Sequence, residues 1–123
     1  MAIATLKMLT LDSSDARRDA QFWSAVLGWE IAHEQDEYAM LTGPGGMAIG
    51  FGVVPDYEAP KWPNPNGTKQ FHLDLAVDDL DASVAQCVAA GATLPAEQPS
   101  ETWRVMIDPS GHPFCLTLAA NWG

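Results

Sequence analysis

The side chains of this 123-residue chain that are best suited to chemistry are a histidine and an aspartate on one predicted strand. His72 and Asp74 lie two residues apart in 70–77, where alternating apolar residues predict a β-strand, so both side chains share a face. Such a pair could move a proton, with His72 as acid or base, or could supply ligands to a divalent metal ion. The alternative for His72 is a structural role in which it ties neighbouring strands together.

Two cysteines offer weaker chemistry. Cys115 lies in a predicted strand at 113–118, where it could bind a soft metal ion as thiolate. No nearby residue offers a clear activating base, so we expect a small apolar wall residue rather than a nucleophile. Cys87 falls in the middle of a predicted helix and is expected to pack. The wide spacing of the two predicts neither a disulfide framework nor a zinc knuckle.

Aromatic residues are the other candidates for binding, because five tryptophans are many for a chain of this length. Trp103 alternates with Val105 and Ile107 in a predicted strand at 102–107, so its ring belongs either to the core or to the wall of a cavity. Trp62 lies in a proline-rich segment, where it could cover a ligand or anchor the loop on its own domain. Both are therefore candidate pocket residues.

The elements that must position these residues occur twice along the chain. Residues 43–51 return as 108–116, and residues 9–15 return as 73–79, at offsets of 65 and 64 positions. Such a repeat indicates two copies of one supersecondary unit. Equivalent positions in the two copies are therefore candidates for one shared site.

Each copy is predicted as a strand, a helix and three further strands. In module 1, at about 4–54, the helix begins after the N-cap Asp15 and ends at Gly28, with Phe22 and Trp23 on its core face. The strands of module 1 are predicted at 4–11, 29–34, 37–41 and 47–54.

Module 2, at about 69–119, repeats this order after a proline-rich loop at 55–68. Its helix is predicted to begin after Asp78 or Asp79 and to end at Gly91. Its strands are predicted at 70–77, 92–96, 102–107 and 113–118. The two modules together predict one α+β domain that spans residues 1–123.

Composition limits the classes of partner. With 6 Lys and Arg against 16 Asp and Glu, the net charge of −10 argues against nucleic acid and anionic membrane surfaces. The same charge suits a cationic ligand, although it is more often simply a soluble acidic surface. Neither a signal peptide nor an apolar run of membrane-spanning length is evident, so we expect a cytoplasmic protein.

Three motifs, in this order, resemble the vicinal oxygen chelate (VOC) superfamily, which includes glyoxalase I, bleomycin-resistance proteins and extradiol dioxygenases. They are FWSAVLGW at 22–29, FHLDLAVDD at 71–79 and DPSGHPFC at 108–115. The resemblance is greatest to the small glyoxalase-like domains and covers nearly the whole chain. It implies two βαβββ modules that form a curled, mixed β-sheet cup of about eight strands with two helices outside. It also implies a homodimer, because the family often completes its cup across a dimer.

The resemblance also indicates where the family binds metal, with one ligand from the first and the last strand of each module. The equivalent positions here are Met8, Gly50, His72 and Cys115. Only His72 is a good ligand for the usual metals, because Cys115 suits softer ions and the family's usual ligands are His, Glu or Gln. The resemblance therefore predicts no family-type catalytic metal, although a divalent ion stays an option if Asp74 adds a ligand.

Two functions are consistent with these residues. The first is a bleomycin-resistance-like protein that binds a small aromatic or cationic molecule in the cup without a family-type metal. Its candidate pocket residues are Met8, Gly50, Trp62, His72, Asp74, Trp103 and Cys115. The alternative is a metal-dependent lyase, isomerase or dioxygenase of the same superfamily. A metal-free enzyme that uses His72 as acid or base is a third option.

Overall fold

The chain divides into two units in the computed structural model, which describes residues 1–122. Unit 1 is Met1–Tyr57 and unit 2 begins at Glu58, so the boundary lies inside the predicted 55–68 loop. Each unit has one α-helix and one mixed sheet, which confirms the predicted α+β class. At 12 and 11 residues, the α-helices within residues 1–122 are too short to cross a bilayer.

Unit 1 contains one α-helix and four strands. They are β1 Met8–Ser13, α1 Ala16–Leu27, β2 Glu30–Glu34, β3 Tyr38–Thr42 and β4 Ala48–Val53. The sheet has the order β1-β4-β3-β2, in which β1 runs parallel to β4 and the other neighbours are antiparallel. The order of elements is the predicted one, although β1 occupies 8–13 rather than 4–11.

The helix α1 begins and ends where its capping residues predict. Asp15 accepts a hydrogen bond from the backbone N–H of Arg18 at 3.1 Å, and Gly28 ends the helix in the left-handed conformation at φ 72°. Phe22 and Trp23 are buried and pack edge to face, with ring centroids 5.2 Å apart. The face that the periodicity predicts is therefore the face that packs on β2, β3 and β4.

Unit 2 contains one α-helix and three strands. They are β5 Leu73–Val77, α2 Leu80–Ala90, β6 Trp103–Ile107 and β7 Pro113–Leu118, followed by a short 3-10 helix at Ala119–Trp122. The sheet has the order β5-β7-β6, in which β5 runs parallel to β7 and β6 antiparallel to it. The cap of α2 is Asp79, which accepts from the N–H of Ala82 at 3.0 Å, and the helix packs on β6 and β7.

The predicted strand at 92–96 is wrong, and the described residues form seven strands rather than about eight. Thr93 makes a single bridge to Ile107 at the end of β6. Further along this edge the side chain of Gln98 takes the place of a strand. It accepts from the N–H of Val105 at 2.8 Å and donates to the carbonyl of Val105 at 2.9 Å. Because a side chain already satisfies these backbone groups, another strand cannot pair there.

The strand β5 begins at Leu73 rather than at residue 70 as predicted. Gln70 has φ 57°, in the left-handed region, so the backbone turns there and cannot continue an extended strand. Because of this turn, Lys69 does not continue the line of the strand that follows His72.

Candidate functional site

A cavity of about 260 Å³ in unit 2 brings together four of the seven predicted pocket residues. Its lining side chains are Lys69, His72, Asp74, Trp103, Cys115, Thr117 and Trp122. We call this space the unit 2 cavity. The other three predicted residues, Met8, Gly50 and Trp62, do not line it.

The register of the sheet explains why these side chains meet. On one side of β7, Asp74 lies opposite Cys115, and on the other side Trp103 lies opposite Thr117. Cys115 and Thr117 are two residues apart on β7 and therefore face the same way, as do His72 and Asp74. Thr117 is a lining residue that sequence reasoning missed, although the same period of two would have found it.

The polar side of the unit 2 cavity is a connected group of three side chains. His72 Nε2 lies 3.4 Å from Asp74 Oδ1, so the two form an ion pair when the imidazole ring is protonated. The other ring nitrogen, Nδ1, lies 3.4 Å from the carbonyl oxygen of Gln70. The Cys115 sulfur lies within 4.8 Å of a carboxylate oxygen of Asp74 and of a ring nitrogen of His72. Asp74 is 43 % exposed and Cys115 only 2 %, so the group runs from the buried sheet toward solvent.

The chemistry of Cys115 is set by its burial. Removal from water, and then the negative charge of Asp74, raise the pKa of the Cys115 thiol to about 11, although the positive charge of Lys69 opposes this. The thiol therefore stays protonated at neutral pH. A protonated, buried thiol is a poor nucleophile and a poor metal ligand.

Lys69 is held between two indole rings. Its ammonium nitrogen lies 5.9 Å from the ring centroid of Trp62 and 5.7 Å from that of Trp103. Both distances fall within the range of cation–π attraction. Lys69 is a second lining residue that sequence reasoning missed, because only the turn at Gln70 brings it to the cavity and no periodic signal marks it.

Trp122 also lines the unit 2 cavity, and a chain of two hydrogen bonds fixes its position. Its indole Nε1–H donates to Thr117 Oγ1 at 2.6 Å, and the Thr117 hydroxyl donates to the carbonyl of Leu75 at 3.1 Å. The ring itself is largely exposed, at 61 %. Trp103 and Trp122 therefore give the unit 2 cavity aromatic walls.

Trp62 lines a second cavity of unit 2, of about 500 Å³, together with its proline-rich neighbours and 97–99. Asn64 holds this loop, since its amide donates to the carbonyls of Lys61 and Thr68 at 2.8 and 2.7 Å. The indole Nε1 of Trp62 is buried and has no hydrogen-bond partner among residues 1–122. Lys69 links Trp62 to the unit 2 cavity, because its ammonium nitrogen lies over the Trp62 ring.

Met8 and Gly50 lie in unit 1, where β1 and β4 are paired in parallel. Met8 is 40 % exposed, and its sulfur lies 3.5 Å from the hydroxyl of Tyr38. A Cβ atom at Gly50 would lie 3.0 Å from the Tyr38 hydroxyl and 3.3 Å from the Met8 sulfur. The space beside Gly50 is therefore already bounded by these two side chains, and a larger residue would have to displace one of them.

The family's four-ligand metal set does not fit these residues. The pair of positions in unit 1 offers a thioether and a glycine, which bind oxygen-seeking metals poorly or not at all. In unit 2, His72, Asp74 and Cys115 place ligand atoms within 4.8 Å of one another. Ligand atoms on one zinc ion are about 3.3–3.8 Å apart for bonds of 2.0–2.3 Å. This group would have to contract and lose the Cys115 proton before it could hold such an ion.

Comparison with known proteins agrees with the fold. The sequence profile of the family described as "Glyoxalase-like domain" matches residues 8–117. No curated protein sequence gives a significant match. A glyoxalase/bleomycin resistance protein/dioxygenase family enzyme from Burkholderia phytofirmans PsJN is similar in structure, with a TM-score of 0.68 at 23 % identity over 92 % of this chain and 97 % of that chain.

Two further solved structures have the same fold at lower identity. Trypanothione-dependent glyoxalase I from Leishmania major has a TM-score of 0.67 at 16 % identity, covering 97 % of this chain and 89 % of that chain. A possible glyoxalase from Bacillus cereus has a TM-score of 0.68 at 14 % identity, covering 94 % and 99 %. Together with the profile match over most of the sequence, these likenesses confirm that the chain belongs to the glyoxalase-like domain family of the VOC superfamily.

Proposed function

We propose that this protein binds a small aromatic molecule in the unit 2 cavity and does so without a family-type catalytic metal. The observation that carries the proposal is the lining of the cavity, in which Trp103 and Trp122 stand beside a small group of polar side chains. Apolar aromatic walls with a few placed polar groups are the usual construction of a small-molecule site.

The size of the unit 2 cavity limits the ligand. Sites for drug-sized molecules enclose about 300–1,000 Å³. At about 260 Å³ this cavity lies just below that range. A molecule with one aromatic ring and one or two short substituents is therefore the expected size.

The protonated thiol of Cys115 and the missing metal ligands favour binding over catalysis. The thiol of Cys115 keeps its proton at neutral pH, because burial raises its pKa to about 11. The family's metal positions in unit 1, Met8 and Gly50, supply no suitable ligand. A metal-dependent lyase, isomerase or dioxygenase of this family would need metal ligands at these positions. That alternative therefore gains no support from Cys115, Met8 and Gly50. His72 and Asp74 lie 3.4 Å apart and pair with each other on the polar side of the cavity.

The test uses the five indole N–H signals of the ¹⁵N-labelled protein, one for each tryptophan. Benzyl alcohol, benzoate and benzylammonium share one ring and differ in charge. At least one of them, at millimolar concentration, is expected to shift the signals of Trp103 and Trp122 with saturable dependence on concentration. Trp→Phe variants assign the signals.

Trp23 is the internal control for this experiment, because it lies on α1 in unit 1 and its side chain is fully buried beside Phe22. Its signal is expected not to move. The proposal is wrong if all three compounds leave Trp103 and Trp122 unshifted, or if they shift Trp23 to the same extent.

A further inference from the structure

We infer that the ligand of the unit 2 cavity is an aromatic anion, and that the Lys69 ammonium selects its negative group. This inference rests on the proposed function and narrows it to one chemical class, such as an aromatic carboxylate. The sequence suggests an aromatic or a cationic ligand. The inference keeps the aromatic ligand and excludes the cationic ligand.

Lys69 brings a positive charge to this cavity, and no carboxylate of residues 1–122 forms an ion pair with it. Other cationic side chains, those of Arg17, Arg18 and His72, do lie in ion pairs with carboxylates. The guanidinium of Arg104 donates to backbone carbonyls. Lys69 instead lies over two indole rings, whose faces hold its charge in place and leave its N–H donors without a charged acceptor. A carboxylate or phenolate on the ligand would be that acceptor.

The other polar groups of the cavity already have partners within the protein. Asp74 faces His72, with its Oδ1 atom 3.4 Å from His72 Nε2. The Thr117 hydroxyl donates to a backbone carbonyl and accepts from the Trp122 indole. Lys69 is thus the strongest donor left for a ligand, and the negative charge of Asp74 would orient the anionic group of the ligand away from itself and toward Lys69.

A cationic ligand meets the opposite situation. Cations bind aromatic cages through the ring faces. Here Lys69 lies over the faces of Trp62 and Trp103, so a second positive charge would have to approach the first. Like charges in a partly desolvated site disfavour binding.

The backbone beside Lys69 supports a functional role for its placement. Gln70 has φ 57°, a conformation that side chains other than glycine adopt rarely and at a cost in energy. It lies between Lys69 and His72 and gives its carbonyl oxygen to the His72 ring. The chain thus keeps a strained residue at the point that delivers both side chains to the cavity.

The test compares benzoate, benzyl alcohol and benzylammonium by the same indole signals in the wild-type protein and in Lys69→Met. At about 0.15 M salt, charges more than about 8 Å away are screened, so the comparison reports local charge rather than the net charge of the chain. Wild type is expected to bind benzoate at least about tenfold more tightly than benzyl alcohol, and benzylammonium least tightly. Lys69→Met keeps the length of the side chain and is expected to lose that tenfold preference while still binding benzyl alcohol.

Two control variants keep the outcome interpretable. Lys61→Met removes an exposed positive charge of the 55–68 loop that does not line the cavity, and the preference for benzoate is expected to persist. Lys69→Arg keeps the positive charge and is expected to keep the preference for benzoate. This variant therefore distinguishes the loss of charge in Lys69→Met from a loss of folding.

The inference is wrong, although the proposed function stands, if benzyl alcohol or benzylammonium binds as tightly as benzoate. It is also wrong if Lys69→Met leaves the ratio of benzoate to benzyl alcohol affinity unchanged. If no compound binds any variant, the proposed function itself fails.

Discussion

Individual residues of the site differ in how far the sequence could reveal them. The period of two in the predicted strand at 70–77 places His72 and Asp74 on one face, and in the structure their nearest side-chain atoms lie 3.4 Å apart. Lys69 and Trp122 reach the same cavity through a turn at Gln70 and through the short helix Ala119–Trp122. Neither feature has a periodic signature, so sequence reasoning could not connect these two residues with the site.

The raised pKa of Cys115 predicts a specific loss of stability at high pH. Folding raises this pKa from 9.0 to about 11, so the folded state holds the thiol proton more tightly than the unfolded state does. The resulting stabilisation is complete below pH 9 and is lost as the pH rises from 9 through 11. At about 1.4 kcal/mol per pKa unit, it is expected to reach about 2–3 kcal/mol.

Urea unfolding at pH 8, 9, 10 and 11 of the wild type and of Cys115→Ala measures this loss. Cys115→Ala is expected to be less stable at pH 8 because it leaves a cavity, but its free energy of unfolding should fall less steeply above pH 9. The difference between the two slopes isolates Cys115 from the lysines and tyrosines that titrate in the same range. If the free energies of unfolding of the wild type and Cys115→Ala fell with the same slope above pH 9, the raised pKa of Cys115 would be contradicted.

At the scale of elements, the sequence predicts the helices better than the edges of the sheets. Asp15 and Gly28 bound α1, and Asp79 and Gly91 bound α2, because caps act locally and local chemistry can be read from the sequence. The predicted strand at 92–96 fails for a non-local reason. Gln98 occupies the free edge of β6 with its side chain, and propensity alone cannot show that a glutamine will take this place.

Gln98→Ala is expected to lower the free energy of unfolding by about 2–3 kcal/mol, because it leaves the N–H and carbonyl of buried Val105 without partners. Gln21→Ala is the matched control, since Gln21 is exposed on α1 and its change should stay within about 0.5 kcal/mol. Urea unfolding of both variants beside the wild type gives the comparison. A loss for Gln98→Ala no larger than that of Gln21→Ala would mean that water replaces the side chain at this edge.

At the scale of the whole molecule, the repeat predicts the order of elements in both units, but the two copies differ in the chemistry they carry. The first copy has Met8 and Gly50 where the second has His72 and Cys115. The aromatic walls and Lys69 also belong to unit 2. A fold of this family serves many chemistries, so membership alone does not decide between a binder and an enzyme.

The homodimer that the family resemblance implies stays a prediction. The mass of the particle in solution tests it, because one chain has a mass of 13.2 kDa and a dimer would have twice that mass.

The most direct test of metal-free aromatic binding is a benzoate titration of protein that has been treated with a chelator and shown by elemental analysis to contain no Zn, Ni, Fe or Mn. We expect the Trp103 and Trp122 indole signals to shift with the same dissociation constant before and after treatment, and to be unaffected when each metal is added back. Loss of the shifts on metal removal, with recovery on addition of one of these ions, would contradict the proposal and would make His72, Asp74 and Cys115 a metal site.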